Sequence, residues 1–116
     1  MSNGAKVLMV DACHYDVIVE DIPTVLKFLK ECTDWDVGGT GDYIAFTTPS
    51  GKEMGIWKLQ GWANKQLFFY TVTNLDQFLE QHNITNPDWR GNHPRHNKPG
   101  AMFYDEAGVL WGVHEV

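Results

Sequence analysis

The stretch that decides the fold runs from a β-rich segment into a helix start: His14-Tyr15-Asp16-Val17-Ile18-Val19-Glu20-Asp21-Ile22. Its β-branched residues favour a strand, which we place within residues 7–19. Asp21 is a favourable N-cap and Pro23 is tolerated in a first helical turn, so a helix is expected to follow directly. Apolar residues then recur at helical spacing as far as Cys32. The stretch therefore predicts a strand followed by an amphipathic helix.

The same order of elements occurs a second time further along the chain. Leu67–Thr73 is predicted to be a strand, and Asn74 to cap a helix in which Gln77 completes a capping box. Each half then ends in two strands around a glycine-bearing turn, 42–48 with 53–59 and 101–104 with 109–114. The sequence thus predicts two similar modules, about 7–59 and about 67–116, within one domain spanning residues 1–116.

The segment between the second helix and the last strand pair, residues 83–100, is rich in proline and glycine. Pro87, Pro94 and Pro99 lie within it. Because proline lacks a backbone N–H and fixes φ, we predict neither a helix nor a central strand here. An irregular loop of this length is usually either a lid over a site or disordered, and both interpretations stay open.

The length, charge and cysteine content of the chain exclude several classes of protein, among them nucleic-acid-binding and membrane-spanning proteins. The chain has 116 residues, enough for one domain with its own core. Its net charge of −6 argues against nucleic acid or an anionic membrane as partner, since both require a cationic face. There is no apolar run near the length of a membrane span, and no signal-peptide pattern. We therefore expect a cytoplasmic protein in which Cys13 and Cys32 are reduced, buried thiols.

Two segments carry a resemblance to a known family. They are His14–Ile22 with its helix, and Ala101–Trp111, in which Asp105-Glu106-Ala107-Gly108 stands where the family has an Asp-Pro-Asp-Gly hairpin. The chain resembles the vicinal oxygen chelate superfamily of glyoxalases, bleomycin-resistance-type proteins, extradiol dioxygenases and fosfomycin-resistance-type transferases. The resemblance implies an α+β fold of two βαβββ modules. These would form a curved, mostly antiparallel, cup-shaped sheet with helices on its outer face, in a homodimer.

In such a fold, alternation along each strand assigns side chains to the helix side or to the cup. The residues expected on the helix side are Tyr15, Val17, Val19, Met54, Ile56, Phe68, Tyr70, Val72, Trp111 and Val113. The residues expected in the cup are His14, Asp16, Ile18, Gly55, Trp57, Leu67, Phe69, Thr71, Leu110, Gly112 and His114. For strands 43–47 and 101–104, the parity (which alternate side chains face the helix) depends on turn type and stays open.

The resemblance also implies where a divalent metal would be held. Metal-dependent members use four His or Glu ligands, and the matching positions here are His14, Gly55, Leu67 and Gly112. Only His14 has a donor atom, whereas a catalytic ion generally needs about three protein ligands. We therefore expect no metal and no other cofactor. A displaced site made of His14, Asp16 and His114 is the alternative.

These observations favour metal-independent binding of an apolar or aromatic small molecule in an aromatic-lined cup. The predicted ligand-binding residues are His14, Asp16, Gly55, Trp57, Leu67, Phe69, Gly112 and His114. One alternative is a lyase, isomerase or dioxygenase-like enzyme that uses His14 and His114, with or without a displaced metal. Another is an interaction module whose cup is filled by its own side chains. His93-Pro94-Arg95-His96 could form a surface metal clip, but no carboxylate or cysteine accompanies it at a fixed spacing, so it is interpreted as a solvated loop.

Overall fold

The structure is a computed structural model that describes residues 5–116. Its elements are β1 (Ala12–Val19), α1 (Ile22–Cys32), β2 (Tyr43–Thr47), β3 (Glu53–Lys58), β4 (Lys65–Val72), α2 (Leu75–Gln81), β5 (Trp89–His93), β6 (Lys98–Tyr104) and β7 (Leu110–Glu115). The chain divides into two compact units. The first unit is His14–Leu67, and the second unit combines the described residues up to Cys13 with Phe68–Val116.

In the first unit, β3 pairs with β1 in parallel and with β2 in antiparallel fashion, giving the strand order β2-β3-β1. Helix α1 begins where the sequence predicts it, because the Asp21 carboxylate accepts a hydrogen bond from the Thr24 backbone N–H at 3.2 Å. The turn between β2 and β3 is closed by a bond of 2.8 Å from Gly51 N–H to the Thr48 carbonyl. The predicted cap and the predicted hairpin are both confirmed.

The core of the first unit lies between α1 and one face of its strands. Val19, Ile44 and Ile56 are buried there, and Val17 and Met54 pack against them. Strand alternation therefore places these residues on the helix side, as predicted for β1 and β3. It also settles the parity of β2, whose Ile44 and Phe46 face the helix.

The second unit is built in the same manner. β4 pairs with β7 in parallel, and β7, β6 and β5 follow in antiparallel order. The Asn74 side chain caps α2 by accepting the Gln77 backbone N–H at 3.0 Å, which confirms the predicted start of that helix. The core between α2 and the strands consists of Val72, Leu75, Phe78, Leu79, Ala101, Phe103 and Val113. Ala101 and Phe103 thus face the helix, which settles the parity of β6.

The prediction of an irregular loop over residues 83–100 is wrong, because β5 and the start of β6 form a hairpin within it. Two of the prolines lie at positions where a backbone N–H is not needed for pairing with β7. Pro94 lies in the turn, and Pro99 precedes the first β6–β7 pair, Gly100 with His114. The N–H that proline lacks is therefore not required for pairing with β7.

Two further boundaries differ from the predictions. The first strand begins only at Ala12, whereas we expected it to start near residue 7. The first module is βαββ and not βαβββ, because the glycine-rich stretch 33–42 contains no strand. Instead its Val37 is buried against the core, and the Trp35 ring lies 6.1 Å from that of Phe46. The α+β class and the mostly antiparallel pairing are confirmed.

Neither cysteine is buried as expected: Cys32 is exposed and Cys13 is half-buried. Neither α1 nor α2, the helices of the described residues, is long and apolar enough to cross a membrane.

Candidate functional site

In the first unit, the carboxylate of Asp16 is the centre of a buried polar cluster. Its Oδ1 accepts a hydrogen bond of 2.8 Å from the Tyr43 hydroxyl and lies 2.9 Å from Nδ1 of His14. Asp16 and His14 are 0% and 2% exposed. Because they are two residues apart in β1, both point to the face away from α1. We call His14, Asp16 and Tyr43 the Asp16 cluster.

The contact with Asp16 sets the tautomer of the His14 imidazole. An ionised carboxylate can only accept hydrogen bonds, so the imidazole donates to it from Nδ1. In neutral His14 the lone pair then resides on Nε2. An imidazole oriented in this way can accept a hydrogen bond, act as a general base or ligate a metal.

The predicted site residue Gly55 lies beside this cluster, and it is paired with Asp16 across β1 and β3. A β-carbon built on Gly55 would overlap the hydroxyl of Tyr43 and would lie 2.7 Å from Asp16 Oδ1. The space above this glycine is thus taken by the Tyr43 side chain. Trp57, also a predicted site residue, is 4% exposed and packs edge-to-face on Tyr43 with ring centroids 6.3 Å apart.

In the second unit, a group of aromatic and imidazole rings surrounds Phe69. The Phe69 ring is fully buried, 4.6 Å from the His93 ring and 6.1 Å from the His114 ring. The His114 ring lies 5.6 Å from that of His93 and 5.0 Å from that of His96. Gly112 is buried beside them and is paired with Phe69. The interpretation of residues 93–96 as solvated is wrong for His93, which is 0% exposed, whereas His96 is exposed.

The histidines of the second unit differ in the role of their Nδ1 atoms. Nδ1 of His114 donates to the backbone carbonyl of Glu115 at 2.8 Å, so its lone pair is on Nε2. Nδ1 of His93 accepts the Arg95 backbone N–H at 3.0 Å, so in the neutral ring Nε2 carries the proton. Nε2 of His96 lies 3.7 Å from the Cys13 sulfur. His114 is therefore set up as an acceptor or ligand, and His93 as a donor.

The structure distributes the predicted site residues over the two units. His14, Asp16, Gly55 and Trp57 come together around Tyr43, and Leu67 is buried in the same unit; Phe69, Gly112 and His114 come together in the second unit. Sequence reasoning missed Tyr43, because the parity of β2 was open. It also missed Cys13, which was interpreted as an inert thiol, and the placement of His93 and His96, since a proline-rich segment gave no sign of a hairpin.

The residues present do not fit a metal centre at the four positions that the family resemblance implies. Only His14 has a donor atom, and the space beside Gly55 is filled by Tyr43. Leu67 is a buried apolar side chain.

No protein-family model and no curated protein sequence matches the chain. Two solved structures are similar over most of it. The NAD-dependent benzaldehyde dehydrogenase from Legionella pneumophila superposes with a TM-score of 0.59 at 12% identity, covering 88% of this chain and 96% of that chain. A glyoxalase/bleomycin resistance protein/dioxygenase superfamily member from Vibrio splendidus 12B01 superposes with a TM-score of 0.58 at 12% identity, covering 89% and 97%. The chain therefore has the fold of the glyoxalase/bleomycin resistance protein/dioxygenase superfamily, in agreement with the resemblance inferred from its sequence.

Proposed function

We propose that the protein binds an apolar or aromatic small molecule, and that His14 supplies the polar anchor without a metal at the family's ligand positions. The observation that carries this proposal is the double hydrogen bond to Asp16, from His14 on one side and from Tyr43 on the other. The Vibrio structure that shares this fold is described as a glyoxalase/bleomycin resistance protein/dioxygenase superfamily member. Because fold alone does not determine function, the proposal is based on the residues of the Asp16 cluster.

The cost of burying the Asp16 cluster supports a role beyond packing. A carboxylate and an imidazole have been removed from water on one face of a sheet, beside the half-buried phenol of Tyr43. Transferring such groups costs several kcal/mol unless they are fully paired, and apolar side chains of similar volume are often no less stable. A buried titratable pair in direct contact is therefore a candidate functional site.

The neighbours of His14 indicate which ligands would suit it. Ile18 and Trp57, which are paired across β1 and β3, lie on the same face. An apolar or aromatic molecule would suit that surface, and Nε2 of His14 would accept one hydrogen bond from it. The favoured ligand class is therefore an aromatic compound that carries one donor, such as a phenol.

Metal independence is supported by the geometry beside Gly55. A ligating side chain at this position would have to displace the Tyr43 phenol, which fills the space and bonds to Asp16. At the four positions implied by the family resemblance His14 alone has a donor atom, and a single imidazole is not sufficient to hold a catalytic divalent ion there.

Tryptophan fluorescence titration with a panel of phenols and their methyl ethers tests the proposal. Wild-type protein should bind a phenol more tightly than its ether, and His14→Gln should weaken phenol binding at least about tenfold while leaving ether binding unchanged. Tyr15→Phe is the matched control, since Tyr15 neighbours His14 but its hydroxyl bonds to Gln66 at 2.7 Å. If His14→Gln binds phenols as tightly as wild type, the anchor role is wrong.

A second candidate function is a metal-independent enzyme, a lyase or isomerase, favoured by the 2.9 Å contact between His14 and Asp16. A carboxylate that orients an imidazole is the arrangement by which a histidine becomes a general base. Turnover of a bound panel compound that is abolished by His14→Gln and reduced by Asp16→Asn would favour the enzyme. Binding without turnover in wild-type protein would favour the binding protein.

A further inference from the structure

We propose that Cys13, His96 and His114 form a binding site for a zinc-class divalent metal ion. All three residues belong to the second unit, and their ligand atoms lie within 4.8 Å of one another. We call them the Cys13 cluster. None of these three residues is one of the four positions implied by the family resemblance. The proposal does not depend on the proposed small-molecule function.

The spacing of the donor atoms suits a tetrahedral ion. With Zn–S near 2.3 Å and Zn–N near 2.0 Å, tetrahedral angles separate a sulfur and a nitrogen ligand by about 3.5 Å. The Cys13 sulfur and Nε2 of His96 are 3.7 Å apart. An ion could thus be held by both after a shift of a few tenths of an ångström. Since the His114 ligand atom lies within 4.8 Å of the other two, it requires a larger adjustment of at most about 1.5 Å on the same reasoning.

The fold brings the three donors together from distant parts of the sequence. Val10 and Asp11 are tied to Thr71 of β4 by backbone bonds of 2.9 Å, which fixes the segment leading to Cys13. The β5–β6 turn is closed by Asn97, at φ 53°, through a bond of 2.7 Å to the His93 carbonyl, and this turn carries His96 to the His114 ring.

Gly100 contributes by lying opposite His114 in the β6–β7 register. A β-carbon at Gly100 would lie 3.3 Å from the His114 β-carbon and 3.0 Å from the Val113 carbonyl. Because Gly100 has no side chain, it does not crowd the His114 side chain.

Hydrogen bonding selects His114 and not His93 as a ligand. The bond from His114 Nδ1 to the Glu115 carbonyl is the kind of outer contact that orients a metal-bound histidine and leaves Nε2 to coordinate. In contrast, His93 accepts at Nδ1 and packs edge-to-face on Phe69. The cluster therefore offers two imidazoles and one sulfur.

This donor set identifies the class of ion. A thiolate with two imidazoles favours Zn²⁺ or Co²⁺ over Mg²⁺, Ca²⁺ or Mn²⁺, which prefer oxygen ligands. Coordination requires the Cys13 thiol to give up its proton to the buffer, so affinity should rise with pH.

Titration of the chelator-treated protein with Zn²⁺, and separately with Co²⁺, tests the site. Wild-type protein should bind one ion per chain, and the Co²⁺ form should show the near-ultraviolet absorption of a cobalt–thiolate bond. Cys13→Ala should abolish that absorption, and both Cys13→Ala and His96→Ala should weaken Zn²⁺ binding at least about tenfold. Cys32→Ala is the matched control, since Cys32 is exposed in α1, and it should behave as wild type.

His96 is exposed in a turn, so His96→Ala should fold normally and keep the test interpretable. Absence of stoichiometric binding by wild type would overturn the proposal, as would unchanged affinity in His96→Ala. Repeating the phenol titration after removal of the metal separates the two proposals. Phenol binding by the metal-free protein would show that the His14 anchor operates without the ion, and the zinc site is judged by Cys13→Ala and His96→Ala alone.

Discussion

The hydroxyl of Tyr43 lies in the space that a side chain at Gly55 would occupy. A β-carbon on Gly55 would overlap that hydroxyl and approach Asp16 Oδ1 to 2.7 Å. The pairing of β2 with β3 sets Tyr43 opposite Trp57 and Ala45 opposite Gly55, so the Tyr43 ring leans diagonally over the glycine to reach Asp16. The side chains of Tyr43 and Asp16 consequently pack together over Gly55. The stability effects of substitutions at these three positions should therefore not be additive.

Gly55→Ala should lower the free energy of unfolding by about 1–3 kcal/mol, because the new methyl group displaces the Tyr43 ring and breaks its bond to Asp16. Urea denaturation measures the change. The control is Gly38→Ala, where a β-carbon would have nothing within 4 Å, and which should change the value by less than about 1 kcal/mol.

The double variant Tyr43→Ala with Gly55→Ala tests the same relationship more directly. Once the ring is removed, the added methyl group has room, so the second substitution should cost less than it does alone. We expect an interaction energy on the order of 0.5–3 kcal/mol in a double-mutant cycle. Strict additivity of the two single changes would contradict the packing described above.

Tyr43→Phe keeps the ring over Gly55 and removes only the hydroxyl donor to buried Asp16. Leaving a buried acceptor with one bond fewer should lower the free energy of unfolding by about 1–3 kcal/mol. Tyr15→Phe removes an exposed hydroxyl that bonds to Gln66, and should cost less. Equal losses in the two variants, measured by the same denaturation curve, would mean that the Asp16 bond contributes nothing of its own.

Adjacent phenylalanines in β4 should respond very differently to truncation. Phe69 is 0% exposed and Phe68 is 48% exposed. Phe69→Ala should therefore cost about 3–5 kcal/mol, since it leaves a cavity beside the His93 ring, whereas Phe68→Ala should cost less than half as much. Thermal unfolding of both variants measures the difference. Similar losses would place Phe68 and Phe69 on equally packed faces, against the alternation seen here.

The turn before β7 should make stability depend on pH in acid. The indole N–H of Trp111 and the backbone N–H of Val109 donate to Asp105 and hold the pKa of its carboxyl below the ordinary value. The folded state therefore favours the ionised form. This contribution is complete above the unfolded pKa of about 3.9 and is lost as the pH falls through the lower, folded value.

Asp105→Ala should consequently reduce the unfolding midpoint near neutral pH, and the gap from wild type should narrow as the pH falls through the acid range. The adjacent Glu106→Ala controls for removal of an acidic charge in the same turn. A gap that stays constant from neutral to strongly acidic conditions would show that the Asp105 bonds do not depend on its ionisation.

Local chemistry made several elements predictable from the sequence. A short polar side chain caps a helix by accepting a backbone N–H two or three residues further on. Asp21 and Asn74 both do so here. Period-two alternation likewise predicted the helix-facing residues of β1 and β3. These features depend on a few neighbouring residues, so no knowledge of the tertiary structure was required.

The missed features depend on contacts between residues far apart in sequence. Pro99 fits into β6 only because of where the β6–β7 register begins. The side on which Tyr43 lies follows from the pairing of β2 with β3. Cys13, His96 and His114 are up to about a hundred positions apart, and only the strand order and the β5–β6 turn bring them together.

The parallel pairing described in each unit has a consequence for the order in which the chain folds. Asp16 pairs with Gly55, and Phe69 with Gly112, whereas the hairpins β2–β3 and β6–β7 join near neighbours. Closing a longer loop costs more entropy, so local hairpins assemble first and distant partners later. We therefore expect β1 and β4, whose parallel partners lie some forty residues further along the chain, to be joined to those partners after the hairpins have formed.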